Sequence, residues 1–120
     1  MGEIKSHRDL IVWQKSIALV KEIYALTRKF PKSETFALSN QMQRAVVSIP
    51  SNIAEGHTRQ HTGEFRQFLY TALGSAAELD TQIVISNELG YVNKEETCRI
   101  EEQLDEIRKM TYVLISRLRS

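Results

Sequence analysis

The sequence predicts an all-α protein, an antiparallel up-down-up-down four-helix bundle forming a single domain over residues 1–120. Three observations carry this expectation. Apolar residues recur every three or four positions in four long stretches, and none shows the sustained period-two alternation of a strand. Three short breaks separate the stretches: RKFPKSE with Pro31, RQHTGEF with Gly63 and ELGYVNKEE with Gly90. Long helices joined by short connections fold back on their neighbours. A three-helix hairpin array is the structural alternative.

The first helix is expected over about 9–29, with Asp9 as N-cap and Arg28 and Lys29 in the last turn. Leu10, Trp13, Ile17, Val20 and Tyr24 supply its core stripe. The second is expected over about 33–58, capped by Ser33 and entered through Phe36 and Leu38, with Met42, Val46, Ile49 and Ile53 facing the core. Pro50 sits inside that stripe, where a proline removes one backbone hydrogen bond. The stripe continues past it, so a bent but continuous helix or a short break is expected.

The third helix is expected over about 62–87, with Glu64 in its first turn. Its stripe is Phe65, Phe68, Leu69, Ala72, Ala76, Leu79 and Ile83. The small run Gly74-Ser75-Ala76-Ala77 marks a close helix crossing. The fourth is expected over about 93–117, capped by Asn93 with Glu95 and Glu96 against its N-terminal dipole. Ile100, Leu104, Ile107, Thr111, Leu114 and Leu118 form its stripe, and Lys109, Arg117 and Arg119 lie near its basic end.

At 120 residues the chain can hold a core without disulfides or metal. Its one cysteine, Cys98, excludes an intramolecular disulfide framework, and the acidic residues around it disfavour a reactive thiolate. The start, MGEIKSHRDL, lacks a signal-peptide apolar region, and no apolar run reaches the ~20 residues of a bilayer span. Gly2 is a weak myristoylation signal and reads more simply as a start-codon neighbour. The expectation is a soluble, cytoplasmic protein without membrane or small-molecule partner. Net charge is +1, split into +4 over residues 1–66 and −3 over 67–120.

Helices two and three each carry a polar line beside the apolar one: Gln41, Arg44, Ser48, Asn52, Glu55 and Arg59 on one, Thr71, Ser75, Glu78 and Gln82 on the other. Arg44, Ser48, Asn52, Glu55, Ser75 and Glu78 are the candidate residues of a half-buried structural seam. Solvated faces and a carboxylate-based site at Glu55 and Glu78 are the alternatives. Glu55-Gly-His57 has the wrong spacing for a Glu-x-x-His metal bundle. His57 and His61 are four apart but sit at a helix end, where a solvated loop is the simpler reading. No nucleophile elbow, P-loop or dinucleotide fingerprint occurs. Hence no catalytic residue, cofactor or metal is expected. Lys15, Lys21, Arg28, Lys29, Lys32, Arg59 and Arg66 are candidate nucleic-acid contacts, without interleaved stacking aromatics.

Several motifs together resemble one family. They are Trp13-Gln14, Phe30-Pro31-x-x-Glu34, Gln43-Arg44-Ala45, the stretch SIPSNIAEG over 48–56, and Gly74-Ser75-x-x-Glu78-Leu79. Over about residues 9–118 the chain resembles the four-helix bundle proteins encoded in 23S rRNA intervening sequences. The resemblance implies a four-helix bundle, homo-oligomeric rings that are often pentamers, and no established enzymatic activity. A more distant likeness, to the accessory protein of diversity-generating retroelements, implies a basic pentameric barrel that engages nucleic acid and a reverse transcriptase. The near-zero net charge departs from that basic pattern.

Two functional expectations follow. One is a non-enzymatic homo-oligomer with an RNA or nucleoprotein partner. The other is a pure protein-assembly module. In the second, Ile11, Leu19, Val84, Ile85, Val113 and Ile115 fall off the core stripes and make subunit contacts.

Overall fold

A computed structural model describes residues 3–118, so Gly2 and Arg119 lie outside the described residues. Four α-helices are present: α1, Ile11–Thr27; α2, Leu38–His57; α3, Thr62–Glu88; and α4, Lys94–Arg117. Single 3-10 turns precede α1 (His7–Asp9) and α2 (Lys32–Glu34). Each helix packs on its sequence neighbours, and α1 also packs on α4. Cross-helix pairs step in opposite directions along each neighbour. Ser48 meets Ser75 and Met42 meets Ser86 between α2 and α3, while Lys15 meets Glu106 and Glu22 meets Arg99 between α1 and α4. By these pairs α2 runs antiparallel to α3, and α1 to α4.

The start of the chain folds differently from expectation. Asp9 does not cap α1; its carboxylate accepts from the backbone N–H of Lys5 at 2.7 Å and of Ser6 at 3.1 Å. Those two bonds hold the Asp9 pKa below the usual carboxylate range. Ser6 and Asp9 form a capping box on the 3-10 turn, and Leu10 occupies the N-cap of α1 without a side-chain bond. Ser33 likewise caps nothing at α2, whose N-cap is Ala37. Glu34 does that work from outside the helix: Oε1 accepts from the Leu38 N–H, and Oε2 accepts from the Tyr91 hydroxyl at 2.8 Å. One carboxylate thus ties the entry of α2 to the α3–α4 connection. Phe36 does not enter the core and is 93% exposed.

The core stripe of α1 has the expected period but a different phase. Val12, Ser16, Leu19, Ile23 and Leu26 are buried, while Ile17 and Tyr24 are exposed and Leu10, Trp13 and Val20 are half-buried against the core. The cause is that α1 is apolar on most of its circumference, so periodicity leaves its rotation undetermined. Packing between α2 and α4 selects the face. In α2 all four expected positions, Met42, Val46, Ile49 and Ile53, are fully buried. The helix runs without interruption through Pro50, which is itself buried. In α4 Ile100, Leu104, Ile107 and Thr111 are buried, and so is Ile115, which was expected at the surface.

The ends of α3 and α4 follow local chemistry. Gly90 has φ +78°, the left-handed conformation that closes α3. The Tyr91 N–H donates to the Ser86 carbonyl and the Gly90 N–H to that of Asn87, the two bonds of a Schellman motif. Asn93 and Glu96 form a reciprocal capping box at the start of α4. Glu96 also pairs with Lys29 at the end of α1. The Lys29 hydrogen bond, helped by the Asn93 N–H, holds the Glu96 pKa below its ordinary value.

In the small run 74–77 Ser75 and Ala76 are buried and Ser75 meets Ser48 of α2, but Gly74 is exposed, and the glycine that a close approach requires is Gly56. A Cβ at Gly56 would stand 2.7 Å from the Phe68 Cβ and 3.3 Å from the Phe65 carbonyl oxygen, whereas one at Gly74 meets nothing within 4 Å. Gly56→Ala is expected to destabilise the fold by about 1–3 kcal/mol, because strain outweighs the gain in helix propensity; thermal melts check this. A lowered carboxylate pKa adds stability that is present above the unfolded value, about 4.3 for Glu, and lost as pH falls through the folded value. Glu96→Gln is therefore expected to melt lower than the parent at pH 7, with the gap closing on acidification below about pH 4.

Candidate functional site

The polar lines of α2 and α3 meet at one place. Asn52 Nδ2 donates to the Ser48 carbonyl at 2.8 Å and to Ser48 Oγ at 2.9 Å. Ser48 Oγ lies 2.8 Å from Ser75 Oγ, and Ser75 Oγ donates to the Thr71 carbonyl at 3.3 Å. Either hydroxyl of the Ser48–Ser75 pair can be the donor, and the bonds link Asn52, Ser48, Ser75 and the Thr71 carbonyl in one chain. Ser48 and Asn52 are half-buried and Ser75 is buried, so the chain joins the two helices beside the core.

The three charged members of the expected seam stand apart from this chain. Glu55 is exposed and pairs with Arg59 one turn along, at 2.8 Å. Arg44 and Glu78 are exposed and, among the described residues, join no ion pair. They line an open cleft between α2 and α3 with Phe36, Asn40, Gln41 and Ser48. Glu55 does not line that cleft, so the two carboxylates do not converge on it. His57 stacks edge-on against Phe65, and His61 is the N-cap of α3. Cys98 is exposed as a free thiol on α4.

The candidate nucleic-acid contacts divide into two groups. Lys15 pairs with Glu106, Lys29 with Glu96 and Arg59 with Glu55, while Arg66 donates to the Leu118 carbonyl at 2.6 Å. The Arg59 guanidinium also stands 4.7 Å above the Phe68 ring. Lys21, Arg28 and Lys32 are exposed and join no ion pair among the described residues.

The apolar surface is partly as expected. Ile11, Val84, Ile85 and Val113 are exposed, but Leu19 and Ile115 are buried and cannot make subunit contacts. Leu19 moved inward with the rotation of α1; Ile115 fills the α4 seam one position after Leu114. Ile11 and Val113 border a groove of about 300 Å³ between the start of α1 and the end of α4. Leu10, Met110 and Leu114 complete its apolar walls, with Lys109 and Arg117 alongside. Sequence reasoning missed this groove because it placed Leu10 and Leu114 in the core. It also missed Phe36 as a surface residue, although Phe36 is six positions before Met42 and so off the α2 stripe.

Asn52→Leu removes both donors from the Ser48 end of the polar chain. It is expected to lower stability by about 1 kcal/mol. A melting temperature equal to the parent's would contradict a structural role for the chain.

Among solved structures, a protein of unknown function from the S23 ribosomal protein family of Bacteroides thetaiotaomicron has the same fold. It is 26% identical, with TM-score 0.79, and the match covers 88% of this chain and 98% of that one. No curated protein matches. The description "23S rRNA-intervening sequence protein" matches residues 8–113, which span all of α1, α2 and α3 and most of α4. By that match the chain belongs to the 23S rRNA-intervening sequence protein family.

Proposed function

We propose that the protein acts as a non-catalytic, homo-oligomeric helical scaffold. The observation that carries this reading is the unpartnered apolar groove between α1 and α4, with Ile11 53% and Val113 48% exposed. Apolar side chains gathered around a concave surface mark a contact site more than they serve a monomer. The divergent placement of Glu55 and Glu78 supports a non-catalytic role. The resemblance found in the sequence suggests five copies.

A second reading adds an RNA contact through Lys21, Arg28 and Lys32, which are exposed and join no ion pair among the described residues. Such contacts release counterions, so affinity would fall with salt by a log–log slope of about 0.7 per single-strand phosphate engaged.

Size-exclusion chromatography with light scattering, run with and without total cellular RNA, tests both readings. The scaffold reading expects a discrete species several times the 13.8 kDa chain mass. A monomer at high protein concentration overturns it. The RNA reading expects co-elution of RNA at low salt, lost when Lys21, Arg28 and Lys32 are all replaced by Gln; failure to co-elute overturns that reading alone.

A further inference from the structure

We propose that the cleft between α2 and α3 binds an unpaired guanine base, carried by a free nucleotide or by single-stranded RNA. The inference goes beyond both readings above. It does not need the assembly, and it assigns a base where the RNA reading assigns only phosphate contacts.

The cleft has a volume of about 540 Å³, within the ~300–1,000 Å³ of small-molecule sites. Phe36, Asn40, Gln41, Arg44 and Ser48 line it from the α2 side, and Glu78 lines it from α3. Elsewhere, opposite charges on facing helices close up. Lys15 and Glu106 meet at 3.2 Å and Glu22 and Arg99 at 3.7 Å between α1 and α4, and Asp80 and Arg108 at 3.9 Å between α3 and α4. Arg44 and Glu78 do not. Arg44 lies one turn before Ser48 and Glu78 one turn after Ser75, so the Ser48–Ser75 contact of this antiparallel pair sets them on facing walls. Neither joins an ion pair among the described residues. The cleft therefore has a wall that only donates hydrogen bonds and a wall that only accepts them.

Guanine is the base whose edges divide in the same way. Its N1–H and N2 amino group are adjacent donors, which one carboxylate accepts together. Its O6 and N7 are adjacent acceptors, to which one guanidinium donates in bidentate fashion. Adenine shows one donor and one acceptor on each of those edges, which matches an amide and leaves both charges badly matched. Neither pyrimidine has two adjacent donors. Asn40 and Gln41 serve either purine, so the choice between them rests with Arg44 and Glu78.

Phe36 supplies a face for the base. It is the most exposed large apolar side chain among the described residues, at 93%. The segment that carries it is fixed. Glu34 accepts from the Leu38 N–H at 3.3 Å and from the Tyr91 hydroxyl at 2.8 Å, and its carbonyl accepts from the Ala37 N–H at 3.0 Å. An aromatic ring held on the lining of a polar cleft is a stacking platform for an unpaired base. Lys32 opens the 3-10 turn that leads to Phe36 and joins no ion pair among the described residues, which leaves a cation for the phosphate of the nucleotide.

Calorimetric titration with two ligand pairs tests the site. One pair is GMP and AMP; the other is two single-stranded RNA pentanucleotides that differ only in a central guanine or adenine. A guanine preference of about tenfold is expected in at least one pair, the size of one good bidentate contact. Glu78→Gln is expected to remove the preference, and Phe36→Ala to weaken binding of both bases about tenfold. Both side chains are exposed, and circular dichroism verifies that the variants fold. Preference within the mononucleotide pair supports the site with a free nucleotide as its ligand. Preference within the RNA pair alone supports it with an RNA chain as its ligand. A preference that survives Glu78→Gln, or binding indifferent to Phe36→Ala, overturns the site. So does equal affinity, or no binding, within both pairs; pentanucleotides that bind equally well leave the RNA reading standing while removing the guanine site.

Discussion

Helices α2 and α3 approach so closely at Gly56 that a single added carbon would press on the Cβ of Phe68. The fold depends on that proximity. It brings Ser48 and Ser75 within hydrogen-bond distance two turns away, and it lets Met42, Ile49 and Ile53 of α2 share one core with Leu69, Leu79 and Ile83 of α3. A glycine on a helix costs about 1 kcal/mol against alanine. Here the lost propensity is offset by burial that a larger residue would prevent.

Pro50 belongs to the same arrangement. A proline has no N–H to donate, so the Val46 carbonyl loses its usual helical partner. The helix nevertheless continues, because the residues on either side are anchored by tertiary contacts: Val46, Ile49 and Ile53 are fully buried. Asn52 adds a second acceptor-side tie by donating to the Ser48 carbonyl. The SIPSNIAEG stretch, dense in residues that serve chemistry elsewhere, is here a joint between helices.

The polar groups the fold uses and those it leaves free are spatially separated. Inward lie the Asn52–Ser48–Ser75 chain, the Ser86 hydroxyl bonded to the Gln82 carbonyl, and the Thr111 hydroxyl bonded to the Ile107 carbonyl. Outward, ion pairs between α1 and α4 engage Lys15, Glu22 and Lys29 and fix the antiparallel order of those helices more than they add stability. Among the described residues several large apolar side chains stay exposed, Ile11, Phe36, Val84, Ile85 and Val113 among them, and Lys21, Arg28 and Lys32 join no ion pair.

The four helices were readable in the sequence because helix formation follows local rules. The Gly90 stop, the Asn93 cap and the α2 stripe each depend on residues within a few positions of one another. The polar meeting point of Ser48, Asn52 and Ser75 was also readable, since both lines kept helical spacing. The charges placed in that seam, Arg44, Glu55 and Glu78, were not. A charged side chain one turn from a buried hydroxyl still reaches solvent, and helical spacing alone does not distinguish the two. The rotation of α1 was undetermined for a related reason. With apolar residues on most of its surface, several phases satisfy the same pattern, and only contact with α2 and α4 chose between them. Sequence thus determined where helices begin, end and alternate in polarity. Tertiary packing decided which face turned inward, and therefore that Leu19 and Ile115 fill the core while Phe36 and the α1–α4 groove stay open.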